Sequence, residues 1–352
     1  MKRGVYRELA NKLKAEFADG GCRIGETLPS VKELCARHGV GPFAMRHAMR
    51  LLRDEGFLTL RQNVGASVTV KAARAWKGRI AFVAVGSLGS YYQSKLAIRL
   101  SEALCEAGWD LEPVFLETRR RPLEEGRVRA LVANGLSLAI IHCSERQITE
   151  IFDHANIPYV VVCGFGREYS NARAVIRSDF RHCYDDLIAA FKAANVKRVL
   201  EIDFERVVDR AFKLQLFRAG IEVRRELCSW DYDCPMRLVD VKNCAYQTVR
   251  RLLADTHSRK ELPDALLFDD DYLAFGGIVA VLEAGLRIPH DIRVVTHSNE
   301  GNEAVLGVSL ARLESDPVVD GDTIADYVLN LLSGARPAPP RLVPHFIAGD
   351  SL

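Results

Sequence analysis

The stretch Leu28-Pro29-Ser30-Val31-Lys32-Glu33-Leu34, followed by His38-Gly39-Val40-Gly41-Pro42, predicts two short helices joined by a tight turn. Ser30 can accept a hydrogen bond from the backbone N–H of Glu33, while the Glu33 carboxylate accepts one from the N–H of Ser30, which is a capping box. We expect the first helix to end near residue 38, because a glycine follows it. Pro42 favours a second helix that begins there, because its fixed φ is already helical and its missing N–H is not needed in the first turn.

The second helix carries two different faces. Arginines recur at spacings of four and three residues, and apolar residues occupy the positions between them, as in an amphipathic helix. The cationic set is Arg46, Arg50 and Arg53, and the apolar set is Met45, Ala48, Met49 and Leu52. One face is therefore expected to pack against the core and the other to remain cationic.

Two short segments of β-type composition follow, Phe57–Leu60 and Ser67–Val70, with turn residues over 61–66. They predict a hairpin with a basic tip. Three helices and a hairpin within about seventy residues indicate an α+β winged helix-turn-helix, whose second helix enters a major groove of DNA while the hairpin lies along the backbone or minor groove.

Basic charge is concentrated in this part of the chain. Residues 1–75 contain 14 Lys and Arg against 7 Asp and Glu, a net charge of +7, whereas the remaining residues contain 34 against 39, a net charge of −5. A basic module joined to a mildly acidic body is the charge distribution expected of a DNA-binding protein. The alternative is a small helical domain whose arginines only solvate its surface.

Residues Tyr6 to Val70 resemble the winged helix of GntR-type bacterial transcription regulators. The resemblance is carried in order by Tyr6, Leu9, Gly25, Leu28-Pro29-Ser30, Glu33-Leu34, Gly39-Val40, Arg46, Ala48, Leu52, Gly56-Phe57, Arg61-Gln62 and Gly65. It implies DNA contacts at Lys32, Gly41, Pro42, Phe43, Ala44, Arg46, Arg50, Arg61 and Gly65.

Several of these positions depart from the family pattern. The family usually has Arg at Lys32, Ser-Arg at Gly41-Pro42, Thr at Ala44 and Gly at Asn63. Lysine neutralises a phosphate but lacks the planar fork of arginine, and Phe43 is suited to contact a thymine methyl. We therefore expect DNA binding with an altered or weaker operator preference. The alternative is a winged helix that has lost sequence-specific binding.

From Arg79 onward, strand-like and helix-like segments alternate. The predicted strands are Ile80–Gly86, Trp109–Phe115, Leu138–Ile141, Tyr159–Val162, Arg198–Ile202, Ala265–Phe268 and Arg293–Thr296. Such alternation predicts mostly parallel α/β sheets, two in number, with helices on both faces. Ligands bind such sheets beyond the carboxyl ends of the strands, where polar and aromatic residues suited to a carbohydrate occur, among them Tyr91, Tyr92 and Ser144.

Pro263–Gly276 and Gly285–Val295 resemble the sensor domain of LacI-type repressors, which is itself similar to periplasmic sugar-binding proteins. The resemblance spans roughly residue 79 to the C-terminus and implies two α/β lobes joined by three crossings. The expected organisation is a winged helix over 1–70, a linker over 71–78 and an effector-binding domain over 79–352. Within that domain the first lobe is expected to comprise about 79–163 and 298–313, and the second about 164–296 and 316–346.

This second resemblance implies further effector contacts. Asp271 matches a carboxylate that accepts effector hydroxyl groups, with helix capping as its alternative role, although Asp269 or Asp270 could serve as the cap instead. Asp179 and Trp230 match cleft positions, with capping and core packing as their alternatives. The family's effector-binding arginine falls at Val208, so Arg206 or Arg210 would act from a shifted place. Asn299 is placed to donate and accept at the cleft.

Other features exclude several function classes. No run of eighteen apolar residues occurs, so we expect a cytoplasmic protein with no membrane contact. Phosphate-loop, nucleophile-elbow and zinc-protease motifs are missing from the sequence, and its nine cysteines form no Cys-x-x-Cys pair, so we expect no cofactor, metal or enzymatic activity. Cys228 and Cys234 could form a redox or metal site, but buried thiols are the commoner case.

The sequence therefore predicts a transcription regulator, specifically a repressor, that binds a double-stranded DNA operator as a homodimer and responds to a small polyhydroxylated effector such as a sugar. One alternative is a ligand sensor or co-regulator whose winged helix no longer reads DNA sequence. The other is an enzyme, since parallel α/β sheets host many activities.

Overall fold

The computed structural model describes residues 2–19, 26–61, 65–69, 76–85, 90–116, 122–142, 146–163, 169, 171–203, 210–228, 238–255, 261–302 and 307–352. The chain forms two compact units, Met1–Gly78 and Arg79–Leu352. Within the described residues, none of the helices is long and apolar enough to cross a membrane.

The first unit contains three helices and a hairpin, in the order α1 (Lys2–Asp19), α2 (Val31–His38), α3 (Pro42–Asp54), β1 (Leu58–Arg61) and β2 (Gly65–Val68). The predicted capping box is confirmed, since Ser30 Oγ accepts from the N–H of Glu33 at 3.3 Å and Glu33 Oε2 accepts from the N–H of Ser30 at 2.7 Å. Gly39 ends α2 at φ 65°, a left-handed conformation that glycine adopts without steric cost.

The hairpin is placed differently from the prediction. The strands pair antiparallel from Leu58 opposite Val68 to Arg61 opposite Gly65, so the second strand begins at Gly65 rather than at Ser67. Gly65 pairs directly opposite Arg61 with a φ of 110°, which glycine adopts readily because it has no Cβ. Val70 and the tip residues 62–64 lie outside the described residues.

The second unit alternates strands and helices. Its elements are β3 (Gly78–Val85), α4 (Tyr91–Glu106), β4 (Trp109–Leu116), α5 (Pro122–Ala133), β5 (Leu138–His142), α6 (Arg146–His154), β6 (Tyr159–Val162), β7 (Ala174–Ser178), α7 (Arg181–Ala193), β8 (Arg198–Asp203), α8 (Arg210–Arg218), β9 (Glu222–Leu227), α9 (Leu238–Ala254), β10 (Ala265–Phe268), α10 (Asp271–Glu283), β11 (Arg293–Asn299), β12 (Ala311–Ser315), α11 (Pro317–Leu332), β13 (Arg341–Leu342) and β14 (His345–Ile347).

These strands form two six-stranded sheets, and each sheet defines a lobe. The lobe-one sheet has the order β13-β7-β6-β5-β3-β4, and the lobe-two sheet has the order β14-β12-β11-β10-β8-β9. Each sheet has an apolar core on both faces, as in a doubly wound α/β fold. The predicted two-lobed α/β architecture is therefore confirmed.

The predicted lobe boundaries are wrong at three places. Strand β7 pairs with β6, so Ala174–Ser178 belong to lobe one, although the prediction placed them in lobe two. Strand β12 pairs with β11, so 298–299 and 311–313 belong to lobe two, although the prediction placed them in lobe one. Helix α11 shares a core with α4, through Ile324 and Val328 against Leu96, so 317–332 belong to lobe one.

The chain therefore crosses between lobes after β7, after β12 and between β13 and β14. The crossings are tied to each other and to neighbouring loops by backbone hydrogen bonds: the N–H of Asp179 donates to the carbonyl of Leu342 at 2.7 Å, and the N–H of Glu300 donates to the carbonyl of Ser315 at 2.9 Å. Sequence reasoning misplaced them because a crossing is defined by which strands pair, and pairing is not visible in local composition.

Candidate functional site

Helix α3 presents a cationic surface above a buried apolar face. Its predicted apolar face is confirmed, because Met45, Ala48, Met49 and Leu52 are all at most 4% exposed. Arg46 and Arg50 are exposed, and among the described residues neither forms an ion pair. Arg53 differs from them, since its guanidinium binds Asp54 Oδ1 at 2.6 Å. The free cations of α3 are thus one turn apart, at the centre of the helix.

An aromatic cluster lies at the start of the same helix. Phe43 is 69% exposed, yet its ring stacks on that of His47, with the ring centroids 6.2 Å apart. The Tyr6 ring lies edge-on to Phe43, with the centroids 6.3 Å apart, and its centroid is 4.7 Å from that of His47. Contacts with α1 therefore hold Phe43 in place on the exposed side of α3. Sequence reasoning identified Phe43 but missed the cluster, because Tyr6 is distant in sequence.

The other predicted DNA contacts surround α3. Gly41 is its N-cap, without a side-chain cap, and Pro42 is its first residue. Lys32 is exposed on α2, whereas Ala44 is half-buried against the core. The Arg61 backbone ends β1 opposite exposed Gly65, and the Arg61 side chain lies outside the described residues.

A cleft lies between the lobes at the carboxyl ends of their strands. The backbone N–H of Tyr91, which begins α4 in lobe one, donates to the hydroxyl of Tyr272 in lobe two at 3.0 Å. The Tyr91 hydroxyl also lies against Gly301, whose φ of 81° and lack of Cβ leave it room. These contacts bring the amino ends of α4 and α10 together across the cleft.

Asp271 is the most buried of the predicted effector contacts that the structure describes, at 3% exposed. Its Oδ2 accepts hydrogen bonds from the amides of Asn299 at 3.1 Å and Asn302 at 2.9 Å, while its Oδ1 has no hydrogen-bond partner among the described residues. Burial raises the pKa of Asp271. Asn302 is a residue that sequence reasoning missed, because it lies in a turn beyond the strand that carries Asn299.

The capping of α10 is settled by its neighbour. Asp270 is the N-cap and accepts from the N–H of Tyr272 at 2.8 Å, so Asp271 is not needed for that role. Burial and the adjacent Asp271 charge raise the pKa of Asp270 to about 7. A cavity of about 240 Å³ adjoins Asp271 and is also lined by Ser298, Asn302 and Arg312.

Two predicted contacts are engaged in structural interactions. The Tyr92 hydroxyl donates to Asp320 Oδ2 on α11 at 2.6 Å, which ties α4 to α11 within lobe one. Asp179, at the first crossing, accepts from the N–H of Arg181 at 3.2 Å and from its guanidinium at 2.5 Å. That guanidinium holds the pKa of Asp179 well below its usual range.

A buried polar pair supports the amino end of α4. Gln93 Nε2 donates to the carbonyl of Val85 and lies 3.2 Å from Nδ1 of His142. Burial lowers the pKa of His142 to about 4, so the ring is neutral near pH 7. Ser144, Trp230 and the Arg210 side chain lie outside the described residues, as do the loops after β3, β5, β6, β8 and β9.

Two family models match the chain. Residues 5–68 match the model of bacterial regulatory proteins of the gntR family, and residues 203–352 match that of a periplasmic binding protein-like domain. The first unit therefore matches the winged helix of GntR-type regulators, and the second has the LacI-type, periplasmic-binding-protein-like fold.

Solved structures agree with this LacI-type fold. A LacI family transcriptional regulator from an Arthrobacter species, in complex with lactose, superposes with a TM-score of 0.63 at 17% identity, over 78% of this chain and 98% of that one. The lac repressor dimer bound to operator gives a TM-score of 0.62 at 18% identity, over 77% and 93%. A CelR–cellobiose complex gives 0.61 at 15% identity, over 92% and 100%.

Sequence relatives include repressors named PurR. That of Erwinia tasmaniensis is 26% identical over 209 residues, which cover 56% of this chain and 57% of that protein. That of Escherichia fergusonii is 28% identical over 100 residues, 28% of each chain. The matched region thus spans about half or less of these relatives. Asp271, Asn299 and Asn302 lie together in lobe two, joined by hydrogen bonds.

Proposed function

We propose that this chain is a cytoplasmic transcriptional repressor that binds operator DNA as a homodimer and is controlled by a small polyhydroxylated effector such as a sugar. The observation that carries the proposal is the pair of exposed guanidinium groups, Arg46 and Arg50, on α3 of a GntR-type winged helix that is joined to a LacI-type domain. The named sequence relatives are transcriptional repressors.

In this proposal α3 enters the major groove. Arg46 lies nearer the amino end of the helix and reads a base edge, for which arginine has a bidentate geometry with guanine. Arg50, one turn later, neutralises a phosphate. Phe43, held by Tyr6 and His47, contacts an apolar base edge such as a thymine methyl.

The effector is proposed to bind at Asp271. Its Oδ1 is an acceptor without a partner among the described residues, which a sugar hydroxyl can satisfy, while Asn299 and Asn302 hold the other carboxylate oxygen in place. Tyr91 supplies an aromatic surface from lobe one. A ligand held by both lobes stabilises the closed arrangement of the lobes relative to the open one. The difference in effector affinity between these two arrangements sets the coupling free energy to DNA binding.

The dimer is proposed to form through the outer helices. Ile98 on α4 and Val279 and Leu282 on α10 are large apolar side chains that are about half exposed. Apolar surface of this kind is typical of protein contacts. Because α4 and α10 belong to different lobes and meet at their amino ends, a partner that contacts both would sense lobe movement.

The effector half is tested by calorimetry of the full chain with a panel of mono- and disaccharides, followed by Asp271→Asn. We expect at least one sugar to bind, the variant to bind it at least tenfold more weakly, and the sugar to change the affinity for selected DNA. Asp269→Asn, which alters an exposed neighbouring carboxylate, is the matched control and should retain binding. If the chain selects DNA but responds to no sugar, the effector proposal is wrong and the effector belongs to another chemical class. If it binds a sugar but selects no DNA, the chain is a ligand sensor whose winged helix no longer reads sequence.

A further inference from the structure

A second cavity, of about 550 Å³, opens at the opposite edge of the lobe-one sheet from the effector cleft. It lies where β5, β6 and β7 begin, and its lining there includes Leu138, Pro158 and Arg173. The last turns of α11 and the segment after it close the other side, through Tyr327 and Arg336. The carboxyl end of β5 lies roughly 13 Å away, at about 3.3 Å per residue. Ligands in this cavity and in the cleft therefore would not compete.

The charge of the cavity is positive. Arg173 and Arg336 both line it and both are exposed, and within the described residues neither guanidinium has an ion-pair partner. The described lining residues include no carboxylate. Two unpaired guanidinium groups at one cavity are suited to an oxyanion, because each can offer two parallel N–H donors.

The walls supply apolar surface and one further donor. Leu331 and Leu332 lie on one side, and Leu138 and Pro158 on the other. Tyr327 is 5% exposed, and its hydroxyl forms no hydrogen bond with the rest of the described chain. Burial raises the pKa of Tyr327, so its hydroxyl stays protonated and able to donate.

The end of α11 would oppose an anion if its carbonyl groups were bare. Three of them are already occupied: the N–H groups of Ser333, Gly334 and Ala335 donate to the carbonyls of Leu329, Leu331 and Asn330. The closing turn therefore leaves fewer free acceptors towards the cavity.

We propose that this cavity is a second ligand site of the domain, and that it binds a small organic anion. The phosphate or carboxylate group lies between Arg173 and Arg336, and the apolar part packs on the leucine and proline walls. The volume falls in the range of about 300–1,000 Å³ that is usual for small-molecule sites.

The test uses isothermal titration calorimetry of the full chain with phenyl phosphate and benzoate, which share an apolar ring and differ in the anionic group. Phenol is the uncharged control, and inorganic phosphate is the control without the ring. We expect at least one of the two charged probes to bind with a Kd of about 1 mM or tighter, at least tenfold tighter than phenol. The pair also shows which anionic group the site prefers.

The arginines are tested with the double variant Arg173→Ala/Arg336→Ala, in which both altered side chains are exposed, so that the fold is retained. The variant should bind the charged probe at least tenfold more weakly, while Arg218→Ala, an exposed arginine of lobe two, should bind it as the unaltered chain does. Equal binding by the double variant, or no binding of either charged probe below ~10 mM, contradicts the proposal. Inorganic phosphate that binds as tightly as phenyl phosphate would mean an adventitious ion only, and would also overturn it.

Discussion

The winged helix and the proposed effector site at the cleft are assembled in opposite ways. The cationic surface is local, since Phe43, Arg46 and Arg50 all lie on α3 and an amphipathic repeat sets their direction. The cleft is assembled from distant segments, with Tyr91 at the start of α4, Asp271 at the start of α10 and Asn299 at the end of β11. A local surface depends on one helix and its cap, whereas an assembled one depends on the packing of a whole lobe.

The largest effect is expected where two helices of lobe two are in closest contact. A Cβ at Gly276 would overlap the backbone carbonyl of Lys242, so Gly276→Ala must separate α9 from α10. We expect a loss of about 3 kcal/mol or more in the free energy of unfolding, confined to the LacI-type domain. Urea unfolding with hydrogen exchange measures it, and Gln247→Ala, at an exposed site on α9, should change stability by less than about 0.5 kcal/mol. If Gly276→Ala were as stable as the unaltered chain, the cleft residues would not depend on the close packing of α9 against α10.

The next effect concerns α3 alone. Arg46→Ala should weaken binding to a selected operator by roughly tenfold to a hundredfold, because a bidentate base contact contributes about 1–3 kcal/mol. Arg53→Ala is the matched control, since Arg53 is already paired with Asp54. Fluorescence anisotropy at fixed salt measures both. A larger loss for Arg53 than for Arg46 would mean that the free cations of α3 do not read the operator.

A pH effect is expected in lobe one. Burial raises the pKa of Asp320 to about 6 from an ordinary value of 3.8, so the folded state holds more protons than the unfolded state between about pH 4 and pH 6. The contribution of Asp320 to stability is therefore greatest below that window and is lost as the pH rises through it. In Asp320→Asn the amide oxygen can still accept the hydrogen bond from Tyr92. Relative to this variant, the unaltered chain should lose on the order of 2 kcal/mol in free energy of unfolding as the pH rises across the window. If the free energy of unfolding changes with pH by the same amount in the two proteins from pH 4 to 7, this linkage is excluded.

The smallest effect concerns Ser30, the N-cap of α2. Ser30→Ala removes the acceptor of the Glu33 N–H and should destabilise the winged helix by about 1 kcal/mol. Ser30→Asp, which restores an acceptor, should recover most of that loss. Thermal unfolding of the two variants distinguishes a cap from a merely exposed serine, which would show no difference.

Sequence reasoning predicted the local features of this chain well. The capping box, the bounds of α2, the start of α3 and the buried face of α3 follow from side-chain chemistry within a few residues, and the structure confirms all of them. The alternation of strands and helices likewise predicted two mostly parallel α/β sheets. Each of these features depends on neighbours in sequence.

Features that depend on long-range pairing could not be predicted. Strand β9 was missed because it is an edge strand of charged composition, Glu222–Leu227, stabilised by pairing with β8. The lobe boundaries were wrong because β7, β12 and α11 are assigned by their partners in the sheets. Asn302 was missed for the same reason, since only the folded chain brings it to Asp271.

The most direct test of the regulator proposal is selection of genomic DNA fragments on the purified chain at physiological salt, where non-specific phosphate affinity is suppressed. The account predicts enrichment of an inverted repeat with half-sites about one helical turn apart, and loss of that enrichment in Arg46→Ala. An unenriched pool, the same for both proteins, would contradict a sequence-reading winged helix.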